Sequence, residues 1–396
     1  MTLNVIINGG GIGGLTAALA CSKKGFSVSA HEQADGFFEV GAGLQISPNA
    51  SRVLGDLGLV DELAKRSFTP KALEMRIGST GRLIFSIPMG DTAIRRYGAP
   101  YYHIHRADLI EMLLSALEGY DQISLKTGSR AIGYRQAPDS ITLIRENGDE
   151  LATGDVLVGA DGIKSVVRQQ ILGDTPAQFT RNVAWRAVAR ATPELRQLIP
   201  PVATVWTGDK RHAVTYYLRG GELINFVGVV EEDSWTDEGW SQPGDLQELA
   251  SHFSAYSSPV RTLIDSLDQC FKWALHTRPP FARWSAGRAT LLGDAAHPML
   301  PFQAQGAAQA IEDATVLARM LDGREDVSVE SRLKTYQANR LPRASKIQSA
   351  SHANMSVFHK GTGLNAALTY GPMAIAARAM PDFVASRQDW IYSFVA

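Results

Sequence analysis

Val5-Ile-Ile-Asn-Gly9-Gly-Gly11-Ile-Gly-Gly14 is the stretch that decides the fold of this chain. The apolar residues before Gly9 are typical of a short buried strand, and the Ala- and Leu-rich segment after Gly14 is typical of a helix. Gly9 allows a tight turn, Gly11 lets a pyrophosphate approach the backbone, and Gly14 permits close helix packing. A second strand ends at Glu32, 18 residues after Gly14, where a carboxylate can bind a ribose. These features predict a βαβ unit for FAD or NAD; the alternative is a glycine-rich structural turn.

The composition is that of a globular protein of about two domains. The chain has 396 residues, of which 45% are hydrophobic and 20% charged. A net charge of −1 without long charge runs makes a nucleic-acid or anionic-membrane partner unexpected. Two cysteines, Cys21 and Cys270, exclude a disulfide framework and fit a reducing compartment. With no secretory leader and no apolar run long enough to cross a membrane, we expect a cytoplasmic protein, and we expect no metal site.

Two later apolar strands also end in acids. Val-Leu-Val-Gly-Ala precedes Asp161, and Ala-Thr-Leu-Leu-Gly precedes Asp294. Ligands of open α/β sheets bind outside the carboxyl ends of the strands, so both carboxylates are predicted to face a ligand, and Asp294 suits a polyol. A helix is predicted to start at Gly306 and Ala307, whose small side chains leave its N–H groups accessible to an anionic ring atom.

Three further positions fit a nucleotide site less specifically. Arg106 precedes a predicted helix, where a cation opposes the helix dipole unless an anion lies in front of it. Gly41 and Gly43 flank a small residue and permit close approach of the backbone to a ligand. The alternatives are a surface arginine and a plain loop. We interpret His297, which precedes a proline, as part of a turn.

The middle of the chain predicts antiparallel structure. Residues 72–87 alternate like a hairpin and are assigned with residues 181–273 to a second, antiparallel sheet. Segments near 123–126, 131–135, 141–145 and 150–152 predict a small antiparallel meander. The C-terminal tail predicts partly helical structure with a break at Gly371-Pro372, which covers the core or forms a subunit contact. The predicted domains are a discontinuous nucleotide-binding domain (1–71, 97–175 and 283–345), a substrate domain (72–96 and 176–282) and a C-terminal helical segment (346–396).

Two polar rings lie on one face of a predicted strand. His212 and Tyr216 are four residues apart and share that face with Val214 and Leu218, because strand side chains alternate. If this face lines a cavity, both rings can hydrogen-bond a ligand. The alternatives are a solvated histidine beside a charged turn and a core tyrosine with a satisfied hydroxyl.

Several motifs carry a family resemblance. The glycine turn at 9–14, His105-Arg-Ala-Asp-Leu109, Gly159-Ala-Asp-Gly-Ile-Lys-Ser165 and Leu292-Gly-Asp-Ala-Ala-His-Pro298 resemble those of the single-component FAD-dependent aromatic hydroxylases (class A flavoprotein monooxygenases). Within this family the chain looks similar to salicylate, 3-hydroxybenzoate and 6-hydroxynicotinate hydroxylases. The resemblance implies an α/β fold: a Rossmann-like FAD-binding domain of the glutathione-reductase type with a mixed sheet, a smaller antiparallel-sheet substrate domain and a C-terminal helical segment.

The resemblance also implies residues that hold the ADP half of FAD. The family's motif positions for that half are occupied here by Gly9, Gly11, Gly14 and Glu32. Arg106 matches a residue that contacts the ribityl and pyrophosphate side of the cofactor.

Other matched positions serve the flavin half. Asp161 matches a residue that serves FAD and the passage of NADH or NADPH, since the family has no separate nicotinamide domain. Asp294 matches the residue that binds the ribityl chain. Gly306 and Ala307 match the start of a helix that faces the flavin N1–C2 edge, where the helix dipole stabilises the anionic reduced ring.

The substrate pocket matches in part and departs in part. His212 and Tyr216 match positions that contact the phenol of the substrate in the 3-hydroxybenzoate and hydroxynicotinate members. Phe302 stands where salicylate and hydroxynicotinate hydroxylases have a histidine, and Gln45 stands where some members have one. Gln33 replaces the frequent arginine after the ribose-binding acid. The pocket is therefore expected to be less basic on the side of the flavin domain.

The implied activity is hydroxylation of a hydroxylated aromatic or heteroaromatic acid with NADH or NADPH and O₂, through a C4a-hydroperoxyflavin. His212 is the candidate base for the phenol proton, directly or through water, with Tyr216 as hydrogen-bonding partner. The alternatives are hydroxylation of a larger polycyclic phenol, a flavin oxidase and a non-catalytic flavin-binding protein. We expect a monomer or homodimer.

Overall fold

The computed structural model describes residues 2–37, 43–174, 176–235, 242–323, 326–361 and 363–396. Gly41 lies outside the described residues, so its predicted approach to a ligand stays a prediction. In the described part of the chain, no helix combines the length and apolar character that crossing a bilayer requires.

The strands occur in both halves of the chain. They are β1 (Asn4–Asn8), β2 (Ser27–His31), β3 (Gly43–Ile46), β4 (Ala72–Ile77), β5 (Leu83–Pro88), β6 (Tyr102–His105), β7 (Ile123–Lys126), β8 (Gly133–Gln136), β9 (Ile141–Ile144), β10 (Glu150–Gly154), β11 (Val156–Gly159), β12 (Gln178–Arg190), β13 (Ala203–Thr207), β14 (Arg211–Leu218), β15 (Leu223–Glu231), β16 (Gln242–Gly244), β17 (Cys270–Thr277), β18 (Ser285–Ala286) and β19 (Ala289–Leu291).

Helices also occur along the whole length of the chain. They are α1 (Ile12–Lys23), α2 (Pro48–Asp56), α3 (Val60–Arg66), α4 (Asp91–Tyr97), α5 (Arg106–Leu117), α6 (Val166–Leu172), α7 (Pro193–Leu198), α8 (Leu246–His252), α9 (Ser258–Asp265), α10 (Gly306–Leu321), α11 (Val329–Phe358), α12 (Leu364–Ala379), α13 (Pro381–Ser386) and α14 (Asp389–Tyr392). Short 3₁₀ turns cover Gly162–Lys164, Arg219–Gly221, Gly293–Ala295 and Pro301–Gln303.

A six-stranded sheet carries the predicted βαβ unit. Its order is β18-β19-β11-β1-β2-β7, and every neighbouring pair is parallel except β18 and β19. Val5, Ile6 and Ile7 of β1 are fully buried in its core, together with α1 and α10. The predicted α/β fold with a mixed sheet is confirmed. The carboxyl ends of β1, β11 and β19 meet at one edge of the sheet.

The predicted four-stranded meander is wrong in one strand. β8, β9 and β10 form an antiparallel sheet, but β7 pairs with β2 in parallel in the six-stranded sheet. The short alternating pattern of β7 fits either sheet. Because α5 precedes β7, the chain makes a helical crossover, and such connections join parallel strands.

An eight-stranded sheet forms the second layer. Its order is β16-β17-β12-β15-β14-β13-β4-β5, antiparallel except for the parallel pair of β13 and β4. The predicted hairpin at 72–87 is confirmed as β4 and β5, and it joins the strands predicted further along the chain. A separate apolar core lies on one face of this sheet, around Trp185, Phe226 and Phe253. The domain boundaries given above stay a prediction.

The C-terminal helices are more continuous than predicted. α11 runs for 30 residues through Pro342, and α12 continues through Pro372, so the predicted break at Gly371-Pro372 is wrong. A proline inside a helix removes one hydrogen bond, and packing must offset that loss. Around Pro372, Ala366 and Tyr370 are buried against the hairpin, and the Tyr370 hydroxyl donates to the Val357 carbonyl at 2.8 Å.

A buried charge cluster joins α10 to α11. Arg340 donates to Glu312 at 2.5 Å and to Asp313 at 2.7 Å, and all three side chains are fully buried. Arg343 donates to Glu312 at 2.8 Å, and Asn49 of α2 donates to the same carboxylate at 2.6 Å. The two carboxylates are therefore held by cations and amides from three different parts of the chain.

Removing the central cation should destabilise the protein severely. In Arg340→Ala, Glu312 and Asp313 stay buried without their main partner, which costs about 3–5 kcal/mol of unfolding free energy. Denaturant unfolding measures the loss. The matched control is Arg135→Ala, which breaks an exposed pair with Glu150 and should change stability little. Equal effects of the two substitutions would contradict the importance of the buried cluster.

Candidate active site

One large cavity lies between the two sheets. Its volume is about 1190 Å³, above the roughly 300–1,000 Å³ usual for a site that holds one ligand. One half is lined by the carboxyl ends of β1 and β11 and by the turn after β19, and the other half by β13, β14 and β15. The cavity therefore has room for a cofactor and a second, smaller molecule.

The three glycines of the first turn have different surroundings. Gly9 has φ +118°, and a Cβ there would overlap the Ala160 carbonyl oxygen. A Cβ on Gly14 would overlap the Gly9 carbonyl oxygen. A Cβ on Gly11 would meet no described atom within 4 Å, and Gly11 lines the cavity with φ −76°, which any residue adopts. Gly9 and Gly14 are thus needed by the protein itself, whereas Gly11 leaves open a space that a ligand can occupy.

The acid at the end of β2 is held in place by backbone amides. Glu32 accepts hydrogen bonds from the N–H of Gly10 at 2.8 Å and of Ala34 at 2.9 Å. Glu32 and Gln33 both line the cavity. Each Glu32 oxygen uses one lone pair in these bonds, so the carboxylate can still accept hydrogen bonds from a ribose.

Asp161 has an oxygen without a partner. Its Oδ2 accepts from the Asn8 amide at 3.0 Å and from the Val166 N–H at 2.9 Å. Its Oδ1 is buried and has no hydrogen-bond partner among the described residues. Burial raises the pKa of Asp161, and hydrogen bonds from Ser165 and from nearby backbone N–H groups oppose this rise. A buried acceptor facing a cavity fits a polar ligand with hydroxyl groups.

The remaining predicted cofactor residues surround the same half of the cavity. Arg106 is the first residue of α5, and Gly306 and Ala307 begin α10, where the N-cap residue Gln305 makes no side-chain capping bond. Asp294 lies in the turn after β19 and also lines the cavity. The structure brings these predicted residues together, and the donors and acceptors present fit a dinucleotide with a polyol chain and a ring that can become anionic.

Asp313, which the sequence analysis missed, fixes the turn that carries Asp294. Its Oδ2 lies 2.6 Å from His297 Nε2 and accepts from the Gly293 N–H at 3.1 Å. Burial alone would raise the pKa of Asp313, but His297 and Arg340 hold it at about 2. His297 therefore ties the turn to α10.

The other half of the cavity is aromatic. His212 is buried, and its ring lies 5.2 Å from Phe302 and 5.1 Å from Phe358, measured between centroids. Tyr216 lies further along β14 against His103, at 4.7 Å. Both predicted rings line the cavity, and the alternative of a solvated His212 is wrong. Their neighbours differ, so the two rings lie at different places along the cavity wall.

His212 has partners that the sequence analysis did not identify. Its Nδ1 lies 2.8 Å from His359 Nε2, and His359 Nδ1 lies 2.7 Å from a Glu231 oxygen. Burial lowers the pKa of His212 well below 6.5, with a smaller contribution from His359. The ring is therefore uncharged at neutral pH. No sequence signal connects these positions, because they are distant along the chain and meet only after folding.

The remaining pocket positions differ in how far they match the predictions. Gln45 accepts from the Tyr101 hydroxyl at 2.6 Å, and both line the cavity. Gly43 lines the cavity with the ring of Tyr216 beside it, and its predicted approach to a ligand stays a prediction. Phe302 lines the cavity as predicted.

Three groups of the kind that bind metal ions lie together outside the cavity lining. Glu232, Glu248 and His252 bring ligand atoms within reach of one another. Lys272 Nζ lies 2.8 Å from Glu248, so an ammonium group already contacts one of the two carboxylates.

Comparisons with known proteins agree with this geometry. A family model described as an FAD binding domain matches residues 2–351, and the chain belongs to this family of FAD-binding proteins. It is similar to a 3-amino-4-hydroxybenzoate 2-monooxygenase of Streptomyces platensis, with 36% identity over 394 residues, 99% of this chain and 96% of the relative. It is also similar to a 3-hydroxybenzoate 6-hydroxylase of Polaromonas naphthalenivorans (strain CJ2), with 37% identity over 358 residues, 90% of this chain and 88% of the relative.

A solved structure supports the same assignment. The substrate complex of a salicylate hydroxylase superposes with a TM-score of 0.82 at 26% identity, covering 99% of this chain and 96% of the other. The protein is therefore an FAD-dependent aromatic hydroxylase, that is, a monooxygenase, and the predicted resemblance is confirmed. The sequence analysis did not anticipate the aminohydroxybenzoate relatives.

Substitutions in the glycine turn distinguish an effect on cofactor binding from an effect on folding. Gly11→Val should leave the apoprotein folded and greatly weaken FAD binding, because the new side chain fills the open space in the cavity. Gly14→Ala should instead destabilise the fold, because its Cβ overlaps the backbone. Flavin absorbance per protein and thermal unfolding of the apoprotein measure the two effects. A fully flavinated Gly11→Val protein would contradict the placement of the cofactor.

Proposed function

We propose that this enzyme hydroxylates the ring of a small hydroxylated aromatic or heteroaromatic acid of the hydroxybenzoate or hydroxynicotinate type, with NADH or NADPH and O₂. The observation that carries the proposal is the buried, uncharged His212, which lines the aromatic half of the cavity beside Phe302 and Phe358. The substrates named for the relatives support it, since these are phenolic carboxylic acids.

FAD is proposed to lie in the other half of the cavity. The ribose of its ADP half would bind Glu32 and its pyrophosphate would lie over Gly11 and face Arg106. Asp294 would bind the ribityl chain. FAD bound there would supply the redox chemistry, which is hydride exchange with the nicotinamide and activation of dioxygen.

The first amides of α10 are proposed to face the flavin ring. Gly306 and Ala307 carry no side chain large enough to cover these N–H groups, and the Gln305 side chain at the N-cap makes no capping hydrogen bond. The positive end of the helix dipole would therefore stabilise negative charge on the ring. Asp161, with its unpartnered buried oxygen, would bind a hydroxyl or amide group on the side from which the nicotinamide approaches.

His212 is proposed to take the proton from the substrate hydroxyl. Its Nδ1 is used in the bond to His359, so Nε2 is the nitrogen that faces a ligand. Removing the phenol proton makes the ring more electron-rich and thus a better nucleophile. A positioned base of this kind contributes about 10²–10⁴-fold to a rate.

Tyr216 is proposed to hold the substrate's orientation. It lies four residues from His212 on β14, about 13 Å along the strand, beside Asn225 and within the influence of Arg106. Burial raises the pKa of Tyr216, so its hydroxyl stays protonated and donates a hydrogen bond. Phe302 and Phe358 would keep water from the reacting atoms, which limits loss of activated oxygen as peroxide.

The reductant, the location in the cell and the oligomeric state are proposed in less detail. Because no second dinucleotide fingerprint exists, the nicotinamide is proposed to react without a domain of its own, and the chain does not distinguish NADH from NADPH. The buried thiols of Cys21 and Cys270 fit a cytoplasmic location. A monomer or homodimer is proposed.

The proposed reaction class is tested by turnover on a substrate panel. Purified flavoprotein is assayed for NADH and NADPH oxidation with hydroxybenzoates, aminohydroxybenzoates and hydroxynicotinates, with catalase added to reveal peroxide. We expect one compound to give hydroxylated product in proportion to the nicotinamide consumed. Peroxide alone with every compound would contradict the proposed substrate class and favour a larger phenol, and no stimulation by any compound of the panel would contradict it as well.

The proposed base is tested with His212→Gln. Hydroxylation should fall by about 100-fold with FAD content unchanged, because glutamine cannot accept the proton. Since burial lowers the pKa of His212 below 6.5, the acid limb of kcat/KM due to this ring lies below that pH and should vanish in the variant. His252→Gln is the matched control, because His252 does not line the cavity. An unaltered pH profile in His212→Gln would remove this ring from the base role.

A further inference from the structure

We infer that His359 and Glu231 form, together with His212, a proton path that connects the substrate cavity with solvent. The inference rests on the proposed function, since it needs a substrate hydroxyl that gives up a proton at His212. His359 and Glu231 act through His212 and are positioning residues.

The three groups form a continuous chain of hydrogen bonds. His212 Nδ1 lies 2.8 Å from His359 Nε2, and His359 Nδ1 lies 2.7 Å from Glu231 Oε1. His212 is 1% exposed, the His359 side chain 3% and the Glu231 side chain 38%. Solvent access therefore increases along the chain, from the cavity wall to the surface.

The proton balance follows from the ring tautomers. Before transfer, His212 Nδ1–H donates to His359 Nε2, and His359 Nδ1–H donates to the Glu231 carboxylate. The substrate O–H bond breaks as its proton binds His212 Nε2, and the other two protons each move one step outward. Glu231 becomes a neutral acid and releases a proton to water, and a substrate phenolate remains. A proton that returns along the same path restores both rings.

Burial explains why His212 needs such a path. A positive charge on a ring enclosed by Phe302 and Phe358 would be costly, and burial already lowers the pKa of His212. As an isolated base it would therefore be weak. Transfer of the proton to the Glu231 carboxylate, which solvent reaches, removes this cost.

Some of the groups around His359 stabilise its protonated ring. Burial lowers the pKa of His359, but Glu231 raises it. Asp209 also favours the charged ring, whereas Arg211 opposes it. His359 follows directly after the last residue of α11, where the helix dipole favours positive charge.

The alternative is a purely structural role, in which these hydrogen bonds hold the end of α11 against β14 and β15. A structural tie would affect stability, FAD content or KM. A proton path would affect the rate of hydroxylation, its dependence on pH and its solvent isotope effect, and added proton carriers could restore the rate.

The test uses the FAD-loaded enzyme and the compound of the panel that gives coupled turnover. We measure single-turnover hydroxylation of wild type, His359→Ala and Glu231→Gln between pH 6 and 9, in H₂O and in D₂O. Both variants should be slower by at least ~10-fold, with KM within about threefold and a changed solvent isotope effect. Imidazole should restore part of the rate in His359→Ala by filling the vacated space. Glu232→Gln is the matched control, because Glu232 is adjacent to Glu231 and belongs to the cluster around Lys272.

The outcomes separate the path from the proposed function. A wild-type enzyme that hydroxylates while both variants match its rate and isotope effect overturns the path alone. A slow His359→Ala variant that imidazole does not restore, combined with an unaffected Glu231→Gln, also overturns it. If His359→Ala fails to fold, Glu231→Gln against Glu232→Gln decides. A wild-type enzyme that hydroxylates no compound overturns the proposed function and the path with it.

Discussion

The buried ion cluster of Glu312, Asp313, Arg340 and Arg343 is the constraint on which the cofactor half of the molecule depends. Charges without solvent are stable only if every partner is in place, so the cluster fixes α10 and α11 relative to each other. Through Asp313 it also holds the turn after β19, and through Arg343 it reaches the carbonyls of Trp390 and Ile391 near the C-terminus. The start of α10, which is proposed to face the flavin, is thus positioned by charges that lie more than one helical turn further along the helix.

The cofactor half could be predicted from sequence because its determinants are local. The glycine turn, the acids after β2 and β11, and the small residues that begin α10 each lie within a few residues of the backbone feature that they create. Gly9 and Gly14 are dictated by backbone contacts, and Gly11 by the space left for a ligand. Parallel strands then bring their carboxyl ends together without further information.

The substrate half could be predicted only in part because its determinants are distant along the chain. Alternation placed His212 and Tyr216 on one face, but nothing in the sequence indicated that His359 reaches His212 across 147 residues. The pattern of β7 was compatible with two sheets, and only the crossover through α5 decides between them. Pro372 looked like a helix break because propensity arguments omit packing against the hairpin of β4 and β5.

Helix α11 contributes to both halves. Arg340 lies near its middle and His359 directly follows its last residue, so about 28 Å of helix connects the ion cluster with the aromatic pocket. The number of residues between Arg340 and His359 therefore fixes the directions in which the two side chains point from the helix. Inserting one residue between these positions would turn His359 by about 100° away from His212 while leaving Arg340 in place. The pocket and the flavin site cannot change independently along this helix, so exchange of C-terminal segments between related hydroxylases requires that its register be kept.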